Sequence, residues 1–208
     1  APYVEDRSKL DAAVVATEGA NLATYGYGVK AFTLSLIETA IDLTGGRVTS
    51  TEVTAILDLG KSLLGHPVDL LDGVQETIDQ MAMSGRRLIV VTKGDLFHQE
   101  AKVAGSGLAD RFSRVDIVSE KDVATYRRII TELGVEPERF LMIGNSVRSD
   151  VLPVVELGGH AVHLPYRFTW AHEEVADVDA ERNGYHQLDS ITELPVFVER
   201  LSAAGDPR

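Results

Sequence analysis

The stretch Phe140-Leu141-Met142-Ile143-Gly144-Asn145-Ser146-Val147-Arg148-Ser149-Asp150 passes at a glycine from four apolar residues to a run of small and polar ones. Four apolar residues are too few for a helix. They follow a helix-like segment from about Asp122 to Leu133 that Gly134 closes. A short apolar run bounded this way reads as a strand buried on both faces. The same alternation continues on either side. Upstream lie Leu88-Ile89-Val90-Val91-Thr92 and Val115-Asp116-Ile117-Val118. Helix-like segments run from about Gly73 to Ser84 and from Gly94 to about Ala104. Downstream, a short helix ends at Gly158-Gly159, and Ala161-Val162-His163-Leu164 follows, closed by Pro165. Strands separated by helices imply βαβ units and a parallel sheet. The last 40 residues are acidic and less regular, with a final helix expected near Leu194–Leu201.

Residues 1–66 read differently, as helix throughout. One segment runs from about Lys9 to Tyr25 and stops at Gly26 and Gly28. A second runs from Val29 to Leu43, with Phe32, Leu36, Ile37, Ala40 and Ile41 at helical spacing, and stops at Gly45-Gly46. A third opens at Thr49 with Glu52 three residues on, the pattern of a capping box, and ends near Gly65. The pattern changes at His66-Pro67. The expected organisation is a helical domain over 1–66 and an α/β domain over 67–208.

The 208 residues carry 32 acidic and 20 basic side chains, a formal charge of -12. That balance argues against nucleic acid as the main partner, because phosphate-backbone binding needs clustered Lys and Arg. A small anion, which meets only a local positive spot, remains compatible. No apolar run approaches the roughly 20 residues of a membrane span. Cysteine is absent, which removes disulfides and thiolate chemistry and suits a reducing cytoplasm. The six His are dispersed with no His-x-x-x-His pair, so a zinc site is not expected.

In an open parallel sheet, ligands bind beyond the carboxyl ends of the strands. The first strand there leads into Thr92-Lys93-Gly94-Asp95. The second leads into Ser119-Glu120-Lys121-Asp122, and the third into Gly144-Asn145 through Asp150. Thr92 offers a hydroxyl, with the N–H groups around Lys93 and Gly94, to an anion at the start of the next helix. Lys121 offers a full positive charge to a phosphate. Asn145 and Asp150 are oxygen donors of the type Mg²⁺ takes. Taken singly, each has a plainer reading. Thr92 is then a strand-end hydroxyl, Lys121 a solvated helix-start charge, Asp150 a helix N-terminal charge and Ser149 an N-cap. Their placement after consecutive strands makes them a candidate site.

The order and spacing of these segments resemble the haloacid dehalogenase-like hydrolase superfamily. Leu88–Thr92 with Lys93-Gly94 resembles its second motif. Lys121 stands where its third-motif lysine stands, and Phe140–Asp150 is similar to its fourth motif. The link from Ser106-Gly107-Leu108 through Phe112 to Lys121 is similar as well. The resemblance covers most of residues 67–168 and implies a Rossmann-like parallel sheet between helices, with residues 1–66 as a helical cap. Thr92, Lys93, Gly94 and Lys121 would then hold a phosphate, with Thr92 and Lys121 assisting catalysis, and Asn145 and Asp150 would bind Mg²⁺.

Two departures stand out. The family usually has Asp where this chain has Asn145. It also needs an apolar strand ending in Asp-x-Asp ahead of the cap, and nothing before Lys9 supplies one. Asp177-Val178-Asp179 has the spacing without the apolar strand. The resemblance therefore implies about 30–40 residues ahead of Ala1, from the length of a strand, a loop and an entering helix. The function expected is a cytoplasmic Mg²⁺-dependent phosphatase acting on a small phosphate ester through an aspartyl intermediate. Carbon–halogen hydrolysis and a non-catalytic anion-binding module are the alternatives. Tyr25, Tyr27, Lys30, Trp170 and His172 are further candidates for lining the cleft, and His98 reads as a surface or capping residue.

Overall fold

The computed structural model describes residues 7–166 and 183–204. Trp170, His172 and Asp177-Val178-Asp179 lie outside the described residues. In chain order the main elements are α1 (Arg7–Tyr25), α2 (Val29–Thr44), α3 (Ser50–Leu64), α4 (Val74–Met83), β1 (Ile89–Lys93) and α5 (Leu96–Gly105). There follow β2 (Arg114–Val118), α6 (Val123–Leu133), β3 (Leu141–Gly144), α7 (Leu152–Glu156), β4 (His160–His163), β5 (Tyr185–Gln187) and α8 (Leu194–Ala204). The chain forms two compact units. One comprises residues 1–68 and 93–105, the other 69–92 and 106–208. Among the described residues no helix is long and apolar enough to cross a membrane.

The first unit is helical. The capping box expected at Thr49 is present: its Oγ1 accepts the Glu52 N–H at 3.3 Å, and Glu52 Oε2 accepts the Thr49 N–H at 2.8 Å. Of the apolar residues that give α2 its helical spacing, Phe32, Leu36, Ile37 and Ala40 are half-buried. Ala31, Thr33, Ser35, Thr39 and Thr44 are the buried residues, while Ile41 is exposed. The reason is close helix approach. A Cβ added at Gly60 of α3 would sit 2.3 Å from Thr33 Oγ1, so only small side chains fit between the two helices. The hydroxyls are satisfied within the helix, with Thr33 donating to the Val29 carbonyl at 2.7 Å and Thr39 to the Ser35 carbonyl at 2.8 Å. Asn21 on α1 donates to Ser35 Oγ at 3.1 Å and to Glu38 Oε2 at 2.8 Å, and Tyr25 donates to Glu38 Oε1 at 2.7 Å. Those donors hold Glu38 below the usual carboxylate range, Asn21 contributing most.

The second unit holds the sheets. β3, β4 and β5 are parallel, with Leu141 opposite His160, Gly144 opposite His163 and Ala161 opposite Tyr185. β1 is hydrogen-bonded to β2 in a separate two-stranded sheet. Side chains alternate along the strands, so both faces are covered. Met142 and Ala161 pack with Tyr126, Ile129, Val151 and Val154 on one side. Leu141, Ile143 and Val162 pack with Met81, Leu194 and Val198 on the other. β5 was not expected from the sequence. It is three residues long and largely polar, and it is recruited by pairing with β4.

Among the described residues, β1 pairs with β2 alone, and β3 pairs with β4 alone. A cavity of about 850 Å³ lies between them, lined by Leu88 and Ile89 on one side and by Phe140, Leu141 and Ile143 on the other.

Candidate active site

β3 ends at Gly144, and residues 145–150 turn back over its end. Ser146, and not Ser149, is the cap: its Oγ accepts the Ser149 N–H at 3.0 Å. The chain then winds through a single π-helical turn, Val147–Val151, before α7 begins with Pro153 in its first turn. Such turns carry an extra residue and recur at functional sites. Here the turn brings Asp150 over Gly144. The Asp150 N–H donates to the Ser146 carbonyl at 2.8 Å, and Asp150 Oδ2 accepts the Ser146 N–H at 3.0 Å. A Cβ at position 144 would lie 2.1 Å from Asp150 Oδ2, so only glycine leaves room for the carboxylate.

Lys121 reaches the same carboxylate from the end of the β2 segment. Its Nζ donates to Asp150 Oδ1 at 2.7 Å, and the two side chains are 12% and 5% exposed. Both charges lie at helix starts, as each one read singly suggests, but neither is solvated. Lys121 is fixed by what flanks it. Its N–H donates to Glu120 Oε1 at 3.0 Å, and Asp122 next to it caps α6 by accepting the Thr125 N–H at 2.8 Å. That backbone hydrogen bond is the main reason the Asp122 carboxyl sits below its ordinary range. A buried ion pair of this kind needs its extra hydrogen bonds, because the desolvation cost rivals the Coulombic gain.

Asn145 is exposed, at the tip of the loop after β3. Its carbonyl lies 3.2 Å from His163 Nε2 at the end of β4. Thr92 is half-buried at the end of β1. Lys93 and Gly94 belong to the helical unit. The Lys93 ammonium stands 4.0 Å from the centroid of the Tyr27 ring, in the turn between α1 and α2. Gly94 has φ 137°, and a Cβ there would meet Gln99 Nε2 at 2.8 Å. Gln99 Nε2 donates to the Lys93 carbonyl at 3.0 Å. Asp95 accepts from Lys30 Nζ at 2.9 Å and from the His98 N–H at 3.0 Å, and these bonds, Lys30 first, hold its carboxyl below the ordinary range. Asp95, not His98, is therefore the cap of α5.

The structure thus joins Lys121 to Asp150 and places Asn145 on the loop that Asp150 braces. His163 and Tyr185 are the neighbours that sequence reasoning did not single out. They lie in short strands whose patterns carry no sign of a role at the Asn145 loop. Asn145 and Asp150 supply hard oxygens, which suits Mg²⁺, an ion that keeps several waters and takes one or two protein ligands. Among the described residues no group of three or more His, Asp or Glu is placed to hold a metal.

The family model of haloacid dehalogenase-like hydrolases matches residues 7–158. A crystal structure of a haloacid dehalogenase-like family hydrolase from Xanthomonas campestris is 39% identical, with a TM-score of 0.84; the match covers 98% of this chain and 79% of that one. Two more distant structures share the fold. A 2-haloacid dehalogenase from Pseudomonas syringae has 20% identity, a TM-score of 0.60 and coverage of 94% of this chain and 85% of its own. A predicted phosphoglycolate phosphatase from Haemophilus somnus has 16% identity, a TM-score of 0.63 and coverage of 90% and 91%. No match is found among curated proteins. A parallel sheet between helices, a family model spanning most of the chain and a relative at 39% identity lead to one statement: the chain belongs to the haloacid dehalogenase-like hydrolases.

Proposed function

We propose that this hydrolase is a phosphatase acting on a small phosphate ester through a carboxylate nucleophile. The observation that carries the reading is the buried Lys121–Asp150 pair, braced by Gly144 and Ser146 beside Asn145. It holds the Lys121 amino group in a largely buried setting, where a positive charge is far more effective at offsetting phosphoryl charge than in water. The attacking carboxylate oxygen forms a bond to phosphorus while the ester P–O bond breaks, and the leaving oxygen takes a proton. Water then cleaves the acyl phosphate, releasing phosphate and restoring the carboxylate. Thr92 donates its hydroxyl to a phosphoryl oxygen, with the N–H groups of Lys93 and Gly94 following it in the chain. Lys121 offsets the charge that develops on the transferred group. Asn145 and Asp150 would hold Mg²⁺, which supplies further positive charge to the phosphoryl oxygens.

The nucleophile is assigned to a strand not contained in residues 1–208, and the cavity between β1 and β3 supports that assignment. Both flanking strands are short, and apolar side chains stand above and below. A strand there would satisfy backbone groups that are costly to leave unpaired. Residues 1–66 are read as the cap domain and 67–208 as the catalytic core.

A second reading, hydrolysis of a 2-halo acid, is favoured by Asn145, whose neutral side chain lessens the call for a cation. Carbon–halogen cleavage sends the carboxylate to carbon and releases halide, with no metal required. The test uses protein expressed from the complete gene, assayed on p-nitrophenyl phosphate and on 2-chloropropionate, each with Mg²⁺ or with a chelator. Phosphate release that needs Mg²⁺ supports the phosphatase. Chloride release unaffected by the chelator supports the second reading. No turnover of either, with phosphate still bound, supports a non-catalytic module.

A further inference from the structure

We infer that His163, with Tyr185 behind it, is a positioning residue that fixes the Asn145 peptide; the inference rests on the reading of Asn145 as a functional residue. Three consecutive residues of the loop are pinned from three directions. The Gly144 carbonyl accepts the Leu164 N–H at 2.9 Å. The Asn145 carbonyl lies 3.2 Å from His163 Nε2. The Ser146 N–H donates to Asp150 Oδ2 at 3.0 Å. The first and last are supplied by the sheet and by Asp150. Only the middle one depends on a side chain of β4.

The geometry follows from the register. His163 pairs with Gly144, one residue before Asn145, and its imidazole meets the Asn145 carbonyl. A carbonyl oxygen only accepts, so the proton in this contact belongs to Nε2. With the ring proton on Nε2, Nδ1 only accepts, so the Tyr185 hydroxyl, 3.4 Å from Nδ1 and 3.2 Å from Gln187 Oε1, is the donor available to it. Burial raises the Tyr185 pKa, which keeps the phenol neutral. Tyr185 thus limits rotation of the ring from the side opposite the loop. With the peptides before and after Asn145 both fixed, the Cα–Cβ direction of its exposed side chain is set. Outer partners of this kind are worth about 10–100-fold in metal affinity or activity.

The test contrasts His163→Asn with His163→Gln in protein expressed from the complete gene. Gln carries an amide N–H near the position of Nε2, and Asn does not reach it; both are tolerated at a half-buried site. Mg²⁺ affinity is read by calorimetry, and kcat and KM on p-nitrophenyl phosphate. His163→Asn is expected to lower Mg²⁺ affinity and kcat about tenfold or more with KM unchanged, and His163→Gln to restore most of the loss. Asn145→Ala runs alongside and should show the larger loss. Parent-level values in His163→Asn while Asn145→Ala falls overturn the positioning role and leave the reading of Asn145 standing. Parent-level values in Asn145→Ala overturn that reading and the positioning role with it. A loss in His163→Asn that His163→Gln does not restore also overturns the inference, because it marks a purely structural effect.

Discussion

Two of the Lys–Asp pairs among the described residues are of nearly equal length but lie in opposite settings. Lys121–Asp150 in the sheet unit measures 2.7 Å, and its side chains are 12% and 5% exposed. Lys30–Asp95 in the helical unit measures 2.9 Å, with 53% and 22% exposure. Distance alone does not separate them; surroundings do. Asp150 has a glycine beneath it, the Ser146 N–H on one oxygen and the π-helical turn behind it. Asp95 caps α5 and meets Lys30 in water. Exposed pairs contribute about 0–1 kcal/mol, whereas removing one member of a buried pair costs about 3–5 kcal/mol. Replacing a buried pair outright with apolar residues is often neutral or stabilising. A buried pair with this much supporting structure is therefore explained better by chemistry at the site than by stability.

That contrast can be broken at several points. The largest effect is expected for Asp150→Ala, which leaves Lys121 buried and unpaired. Chemical denaturation should show a loss of about 3–5 kcal/mol. The double variant Lys121→Met with Asp150→Leu should recover most of that loss. If it stays as unstable as Asp150→Ala, the pair is structural after all. Gly144→Ala comes next, at about 1–3 kcal/mol, because the added methyl meets the Asp150 carboxylate.

A smaller effect concerns pH. Burial, then the neighbouring His160, lowers the His186 pKa. His186 also packs edge-on against Phe197 of α8, with ring centroids 4.8 Å apart. A histidine whose folded pKa is depressed binds a proton more readily when unfolded. Its contribution is present above the ordinary value of about 6.5 and is lost as pH falls through the folded pKa. Thermal melts taken downward from pH 7 should therefore show a decline that His186→Gln flattens. An equal decline in the variant would remove His186 as the cause. The smallest effect is Lys30→Ala, below about 1 kcal/mol and weaker still at high salt. A larger or salt-independent loss would mean that the exposed pair is not the weak one.

Much of the sheet unit was legible because apolar strands, glycine stops and helix lengths carry it. β1 through β4 lie within a residue or two of where the apolar runs put them. The motif order also placed Lys121 and Asp150 after consecutive strands. Their contact was not legible residue by residue. A lysine before a helix and an aspartate near a helix start look like solvated charges until topology folds 29 residues of separation into one bond. The cap at Ser146 was missed because the π-helical turn shifts the helix start by several residues. β5 was missed because Tyr185-His186-Gln187 has no apolar pattern. The helix α2 was legible from its apolar spacing, but its most buried residues are small ones, which hydrophobic periodicity does not mark.

The most direct test is phosphate affinity, measured by calorimetry on protein expressed from the complete gene, for the parent and for Lys121→Ala. A charge-assisted hydrogen bond contributes about 1.5–3 kcal/mol. The account therefore predicts phosphate binding weakened by about tenfold or more, at 1.4 kcal/mol per decade. Phosphate affinity unchanged in Lys121→Ala would contradict the site, and with it the phosphatase reading.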